Sequence, residues 1–258
     1  MWKVAAWNVN SVKARLDRLL GFLEREQPDV VLLQELKCEE PGFPYEAVGN
    51  LGYSAAVSGQ KAYNGVAILS REPALDISRG IGFSDKEDAR WIAATVQGVR
   101  VASVYVPNGQ AVGSEKYAYK LEWLKKLREH LDRTESAQKR LLIGGDFNIA
   151  PEDRDVHDPA AWRGQILFSE PEKAALQKVC EFGLADTFRK HHNELGHYSW
   201  WDYRMLGFPK NRGLRIDFLF ATPALWEHCS AARIDRDERK GTLPSDHAPV
   251  IAEFASLG

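Results

Sequence analysis

The stretch Gly144-Gly145-Asp146-Phe147-Asn148 sets a carboxylate and a carboxamide two positions apart at the end of an apolar run. In an extended strand, residues i and i+2 project to the same side, so Asp146 and Asn148 point together while Phe147 points into a core. A carboxylate there takes a proton from water or binds a metal, and an amide N–H donates to a phosphoryl oxygen as charge builds on it. The plain alternative is an Asx turn after a strand. Ser245-Asp246-His247-Ala248-Pro249 offers a second constellation. Adjacent Asp and His side chains reach one cavity only from a loop, and an imidazole with an ordinary pKa of ~6.5 exchanges protons near neutrality. Otherwise the pair simply caps that loop.

Three further residues stand out by their setting. Glu35 follows the apolar run Val30-Val31-Leu32-Leu33, where a carboxylate is costly unless it meets a cation or partner. Hard oxygen ligands of this kind suit magnesium or manganese rather than zinc. Asn8, at the end of the first predicted strand, supplies an amide beside it. Asp217 falls inside Leu214-Arg215-Ile216-Asp217-Phe218-Leu219-Phe220. An acid in such a strand needs a partner: a histidine whose ring it orients, or, less effectively along one strand, Arg215. Tyr105 ends another apolar run, where its hydroxyl meets a phosphate or a metal-bound water, or is the wet tip of a core tyrosine.

The elements that must position these groups follow from periodicity. Strands are predicted over residues 3–7, 30–33, 65–69, 92–96, 99–106, 141–144, 214–220 and 248–254. Helices are predicted from an N-cap at Ser11 to Glu26, over residues 114–133, and over residues 170–182. Residues 150–169 and 196–212 are long irregular stretches, a length that usually serves function. No repeat or Gly/Ser linker divides the chain, so one domain over residues 1–258 is expected, with two sheets packed together and helices outside. Convergence of Asn8, Glu35, Tyr105, Asp146, Asn148, Asp217, Asp246 and His247 at one mouth between the sheets would make a hard-metal site with one histidine.

Of the 258 residues 44% are hydrophobic and 27% charged, the balance of an ordinary folded protein. No run approaches the ~18 apolar residues of a membrane span, and the N-terminus lacks the order of a secretory signal. Cys38, Cys180 and Cys229 are odd in number and far apart, which argues against a disulfide framework or zinc knuckle and for a reducing cytoplasm. The net charge of −2 gives nucleic-acid binding no support by itself, although an acidic metal centre can offset a basic rim. No exposed apolar stripe is evident, so a monomer is expected.

The chain resembles the exonuclease III and abasic-site endonuclease family of DNA repair, within the wider endonuclease/exonuclease/phosphatase fold. The resemblance rests on Trp7-Asn8-Val9-Asn10, Leu33-Gln34-Glu35, Asn64-Gly65-Val66-Ala67, Tyr105-Val106-Pro107-Asn108, Gly145-Asp146-Phe147-Asn148-Ile149-Ala150, Arg212-Gly213-Leu214-Arg215-Ile216-Asp217 and Ser245-Asp246-His247-Ala248-Pro249, in that order over essentially the whole chain. It implies a four-layer α/β sandwich of two mixed β-sheets face to face with helices outside. It also implies a Mg2+ ion, replaceable by Mn2+, with Asn8, Glu35, Asp146, Asn148, Asp246 and His247 at metal-site positions and Glu35 the principal ligand. Asp146 then activates or positions water, Asn148 donates to the transition state, His247 contacts the scissile phosphate, Asp217 orients His247, and Tyr105 stands beside the phosphate.

The implied substrate is double-stranded DNA with abasic sites or damaged 3′ ends. Cleavage 5′ to the abasic site is the implied reaction, with 3′–5′ exonuclease and 3′-phosphatase activity in a balance the sequence leaves open. Trp200, Leu214 and Ile216 fall where the family builds an apolar pocket for a flipped-out sugar without its base, and such a pocket excludes an intact nucleotide. Arg204, Lys210 and Arg212, with Lys61 and Arg90, are candidates for phosphate contacts. The loops after Tyr105 and around Met205 depart from the Met and Arg wedges of vertebrate relatives, which leaves Asn108, Gln110 or Arg204 for that task. Two other readings compete: a phosphoesterase of the same fold acting on a small or lipid substrate, and a non-enzymatic regulator. The second is disfavoured because Glu35, Asp146 and Asn148 are all present.

Overall fold

A computed structural model describes residues 1–84 and 87–255. Twelve strands form two six-stranded sheets. The first sheet has the order β11-β12-β1-β2-β4-β3, from β1 (Trp2–Asn8), β2 (Val30–Gln34), β3 (Ser54–Ser58), β4 (Val66–Ser70), β11 (Cys229–Ile234) and β12 (Val250–Phe254). The second has the order β5-β6-β7-β8-β10-β9, from β5 (Leu75–Arg79), β6 (Trp91–Val96), β7 (Val99–Tyr105), β8 (Leu141–Asp146), β9 (Ala185–Asp186) and β10 (Asp217–Ala221). Each sheet carries one parallel pair, β1 with β2 and β7 with β8; the other neighbours run antiparallel. A parallel pair needs a crossover, supplied here by the helices α1 (Leu16–Glu26), and, beyond the short α2 (Tyr45–Gly49), α3 (Glu115–Thr134). The remaining helices are α4 (Pro159–Trp162), α5 (Glu170–Cys180) and α6 (Pro223–Trp226).

The period of two decides what each central strand buries. Val4, Ala6, Leu32 and Ile68 of the first sheet meet Val101, Leu142 and Leu219 of the second between the sheets. Ala5, Trp7, Val31 and Leu33 face the other way, under Leu19, Phe22 and Leu23 of α1. On the far side, Ile143, Phe218 and Phe220 pack under Trp123, Leu124 and Leu127 of α3 and Leu176 of α5. Strands covered on both faces read as continuous apolar runs, which is why β2 and β8 look as they do in sequence. Gly144 lets the sheets approach: a Cβ there would stand 2.5 Å from Leu219 and 2.8 Å from Leu32. The result is the expected four-layer sandwich.

Register then aligns polar residues at one end of both sheets. Asn8 pairs with Gln34 across β1 and β2, and Tyr105, Asp146 and Asp217 are direct neighbours across β7, β8 and β10.

The structure departs from the sequence pattern in several places. Residues 214–216 are not part of β10. Leu214 forms isolated bridges to Val156 and Trp200, and Arg215 N bonds Asp155 O, so this strap hydrogen-bonds to loops instead of to β8. Helix α1 begins at Leu16, because Asn10 and Ser11 take left-handed backbone (φ 46° and 85°) and Arg15 occupies the cap. Ser114, by contrast, does cap α3, its hydroxyl accepting from Tyr117 N. The edge strands β3, β5 and β11 lack the apolar signal: Leu75, Asp76 and Ile77 of β5 are exposed. Among the described residues, no helix is long and apolar enough to cross a membrane.

Candidate active site

Asp146 closes β8 and is buried. Its Oδ1 accepts the backbone N–H of Asn148 at 2.9 Å, and its Oδ2 accepts from Asn8 Nδ2 at 2.9 Å. The same Asn8 amide group donates to Glu35 Oε1 at 2.8 Å, so one carboxamide ties two carboxylates from different sheets. Asn8 Oδ1 is taken by Asn10 N, which leaves Asn8 as a strut presenting N–H rather than as an oxygen donor at this centre. Glu35 and Asn148 both have φ of 52°, a left-handed backbone that is costly outside glycine and is typical of functional positions. Asn148 Nδ2 reaches Val106 O and, at 3.3 Å, Asp146 Oδ2, while Asn108 Nδ2 donates to Asn148 Oδ1.

His247 lies between two acids. Its Nδ1 is 2.8 Å from Asp217 Oδ2 and 3.0 Å from Oδ1, and its Nε2 is 3.7 Å from Asp146 Oδ2. Asp217 is in turn bonded by Ser199 Oγ at 2.7 Å, and Ser199 Oγ also receives the N–H groups of Ile216 and Asp217. The loop bearing His247 is anchored by Trp7 Nε1 on His247 O and by Ser245 Oγ on Asn8 O. Arg215 takes no part in this: it is buried against Asp155 and Asp186.

Electrostatics follow from burial. Loss of water, with help from Asp217 and Glu35, pushes the Asp146 carboxyl up to about 7 against the opposing pull of His247. Burial works against charge on His247 too, but Asp217 and Asp146 outweigh it and raise the imidazole to about 10. Burial and the nearby Glu35 and Asp146 keep the Tyr105 hydroxyl protonated far into the alkaline range, and Arg90 lies over its ring at 4.9 Å. Three carboxylates thus surround one imidazolium, with Lys37 bonded to Glu35 Oε2 at 2.9 Å and to Asn10 Oδ1 at 2.5 Å. A carboxylate oxygen each of Glu35 and Asp146 and a ring nitrogen of His247 lie within 4.8 Å of one another. Surplus negative charge and oxygen donors fit a hard divalent cation. Asp246 stands outside this trio, its oxygens taken by Asn10 Nδ2 and Trp200 Nε1 at 3.0 Å each.

A cavity of about 540 Å³ opens beside the centre, lined by His157, Trp162, Trp200, Asp202, Arg204, Met205, Gly207 and Arg212. Leu214 and Ile216 do not line it. Both are buried with Val156 and Phe168 and back Trp200 from behind, because the strap that carries them bonds to Trp200 itself. Trp201 is core. Lys210, Lys61, Asn108 and Gln110 are exposed, and Arg204 is spoken for by Asp202 at 2.8 Å.

Sequence reasoning missed Lys120. Fully buried on α3, its ammonium donates to Asn148 O (2.6 Å), Asn108 O (3.2 Å) and the Glu172 carboxylate of α5. The signal was a lysine on the apolar face of that helix, between Tyr117 and Leu124. Ser199 was missed as well, and nothing local marks it.

The sequence pattern of the endonuclease/exonuclease/phosphatase family matches residues 5–247. The chain belongs to that family. It is 37% identical to exodeoxyribonuclease III of Haemophilus influenzae, over 98% of this chain and 99% of that one. It is 31% identical to an exodeoxyribonuclease of Bacillus subtilis, over 96% and 97%. Among solved structures, a 3′ phosphatase from Neisseria bound to a product DNA hairpin superposes with a TM-score of 0.96 at 41% identity, covering 99% of this chain and all of that one. An AP endonuclease from Archaeoglobus fulgidus gives 0.95 at 36%, with the same coverage. Members of this family among the relatives named are hydrolytic nucleases, and the strand-end residues described above gather carboxylates, an imidazole and amide donors at one mouth.

Proposed function

We propose that this chain is a metal-dependent DNA-repair nuclease that hydrolyses phosphodiester bonds 5′ to abasic sites and trims damaged 3′ ends. One observation carries the reading: the Asp217–His247 pair, Asp146 and the Glu35–Asn8 bridge converge at a mouth whose rim is an aromatic cavity edged by arginines. The relatives named above, an exodeoxyribonuclease III, a 3′ phosphatase and an AP endonuclease, support it. Residues 1–258 act as one domain on this reading. A monomer working in the cytoplasm on chromosomal DNA agrees with the free thiols Cys38, Cys180 and Cys229.

Glu35 and Asp146 would hold a Mg2+ ion, which neutralises phosphate charge and eases departure of the 3′ oxygen. His247 is a donor here rather than a metal ligand: Asp217 and Asp146 hold the ring protonated, so Nε2 presents a hydrogen and not a lone pair. Its Nε2–H points toward Asp146 and stabilises negative charge on an equatorial phosphate oxygen as it builds. Asn148 contributes an amide N–H to the same charge. Asp146 orients the attacking water and takes its proton. Tyr105 keeps its hydroxyl proton and donates it to the phosphate as a hydrogen bond. Trp200 offers a flat apolar wall to a sugar that has lost its base, while an intact nucleotide must also unstack and unpair.

The test is a substrate panel in Mg2+: an abasic duplex, a recessed undamaged 3′ end, a 3′-phosphate end and bis(p-nitrophenyl) phosphate. Cleavage of the DNA substrates, abolished by EDTA, is expected. Hydrolysis of the small diester with none of the DNA substrates would replace this reading by a small-molecule phosphoesterase, and activity persisting in EDTA would remove the metal.

A further inference from the structure

A second convergence of ligand atoms lies far from the strand-end residues in sequence, on His191-His192-Asn193-Glu194-Leu195-Gly196-His197. His192 Nδ1 and His197 Nε2 stand 3.2 and 2.8 Å from one oxygen, Glu194 Oε1, and the three ligand atoms all lie within 4.8 Å of one another. We infer that this loop is a binding site for a zinc-class transition-metal ion, held by two imidazole nitrogens and one carboxylate.

His192 is anchored through Nε2. Its Nε2 lies 2.7 Å from the carbonyl oxygen of Ala232, which only accepts, so Nε2 carries the proton. Nδ1 is the atom that faces Glu194 Oε1, and the proton it shares with that carboxylate is the one an incoming ion displaces. An N–H anchored on a backbone carbonyl is how ligating imidazoles are oriented in metal sites. The rings are also set in place before any ion arrives. His192 stacks on the buried Phe188 at 4.5 Å and 23°, and His197 meets the same ring edge-on at 5.4 Å. Arg189 donates to the carbonyls of His192 and Glu194, and Asn193 N takes Glu194 Oε2, which leaves Oε1 for the imidazoles.

Distances agree with the ion class. Metal–ligand bonds of ~2.0–2.1 Å in a tetrahedron separate neighbouring ligand atoms by roughly 3.3 Å, and the two imidazole nitrogens stand 3.2 and 2.8 Å from the Glu194 oxygen, a few tenths of an ångström from that spacing. Two nitrogens and one oxygen favour zinc, cobalt, nickel or copper over magnesium, the reverse of the oxygen-rich centre at Glu35 and Asp146. Side-chain exposures of 30%, 57% and 35% for His192, Glu194 and His197 let an ion enter without unfolding and leave water a coordination position. Placement gives the ion a structural effect. His192 docks on Ala232 of β11 in the first sheet, and His197 runs directly into Tyr198, Ser199 and Trp200. A bound ion fastens the root of the segment that supports Asp217 and walls the cavity.

The probe is Co2+, followed by its visible absorption in millimolar Mg2+, with Zn2+ as competitor. One equivalent of Co2+ should bind to the native protein and to Glu35→Gln, and binding should weaken about tenfold or more in His197→Gln and in Glu194→Gln. His197 and Glu194 are partly exposed, and matching melting temperatures in EDTA check that both variants fold. Zn2+ should raise the melting temperature of the native protein and not that of His197→Gln. Co2+ held equally well by both loop variants, lost only in Glu35→Gln, or not bound at all overturns the assignment.

Discussion

The centre at the strand ends and the rim around the cavity are built on opposite terms. Asp146, Asp217 and His247 are at most 3% exposed and lie on, or are bonded to, neighbouring strands whose register fixes their spacing. At the rim, Met205 is 79% exposed and Leu206 62%, both on left-handed backbone within the loop 203–212. Chemistry needs groups held to a fraction of an ångström, which packed sheets supply; substrate fit needs surfaces that can differ between relatives, which loops supply. The two regions should therefore fail differently when altered.

The largest failure is expected at the centre. Asp146→Asn keeps the size but removes the charge and the proton acceptor, and it sets an NH2 group against a donor that an oxygen now accepts. Turnover should fall by about 10²–10⁴-fold while the melting temperature is unchanged or higher, since a buried carboxylate has been neutralised. Single-turnover cleavage of an abasic duplex measures this. A loss below tenfold would mean that Asp146 only shapes the mouth.

Lys120 supports the centre from behind, since its ammonium holds the carbonyls of both Asn148 and Asn108. Lys120→Met strands the Glu172 carboxylate in the interior and should cost about 3–5 kcal/mol in urea unfolding. Adding Glu172→Leu removes the stranded charge and should restore most of that stability. The comparison is sharpened by turnover: if Lys120 positions Asn148, the double variant regains stability but not rate. Full recovery of both would make the pair pure scaffold.

Asp217→Asn is expected to have a smaller effect, about 10–100-fold on turnover, because it acts through His247. The pH profile separates positioning from mere packing. Asp217 helps to raise His247 from its ordinary value to about 10, so the imidazolium persists through neutrality. Its contribution to stability is complete below pH 6.5 and is lost as pH rises through about 10. In Asp217→Asn both the alkaline limb of the activity profile and the imidazole titration followed by NMR should move to lower pH. An unmoved limb would break the link between the two residues.

The centre was legible in the sequence to the extent that buried strands advertise their ends. Val30-Val31-Leu32-Leu33 and Leu141-Leu142-Ile143 are apolar because both faces are covered, so Glu35, Asp146 and Asn148 stand out where cover stops. The family pattern supplied order and roles. What stayed hidden depends on distant partners. Leu214-Arg215-Ile216 has the composition of a strand, yet Arg215 is there to meet Asp155 and Asp186, 60 and 29 residues away, and the strap bonds to Trp200. Asp246 looked like part of the metal set, but its neighbours Asn10 and Trp200 come from remote segments. The edge strands β5 and β11 carry exposed residues on a scale that erases alternation.

The smallest effect is expected at the rim, and there it should touch binding alone. Arg204 shares its charge with Asp202, whereas Arg212 is exposed on the cavity wall. A cation that contacts phosphate without reading bases contributes through release of counterions, so its loss should lower the slope of log K against log salt by about one. Arg212→Ala should show this, with several-fold weaker binding to every duplex tested, abasic or intact, and an unchanged single-turnover rate at saturating enzyme. Arg204→Ala should show less of it, since Asp202 already offsets that charge. Fluorescence anisotropy across 50–200 mM salt measures both. If Arg212→Ala instead slows the chemical step, the rim and the centre are coupled, and the division between fixed chemistry and adaptable fit does not hold for this enzyme.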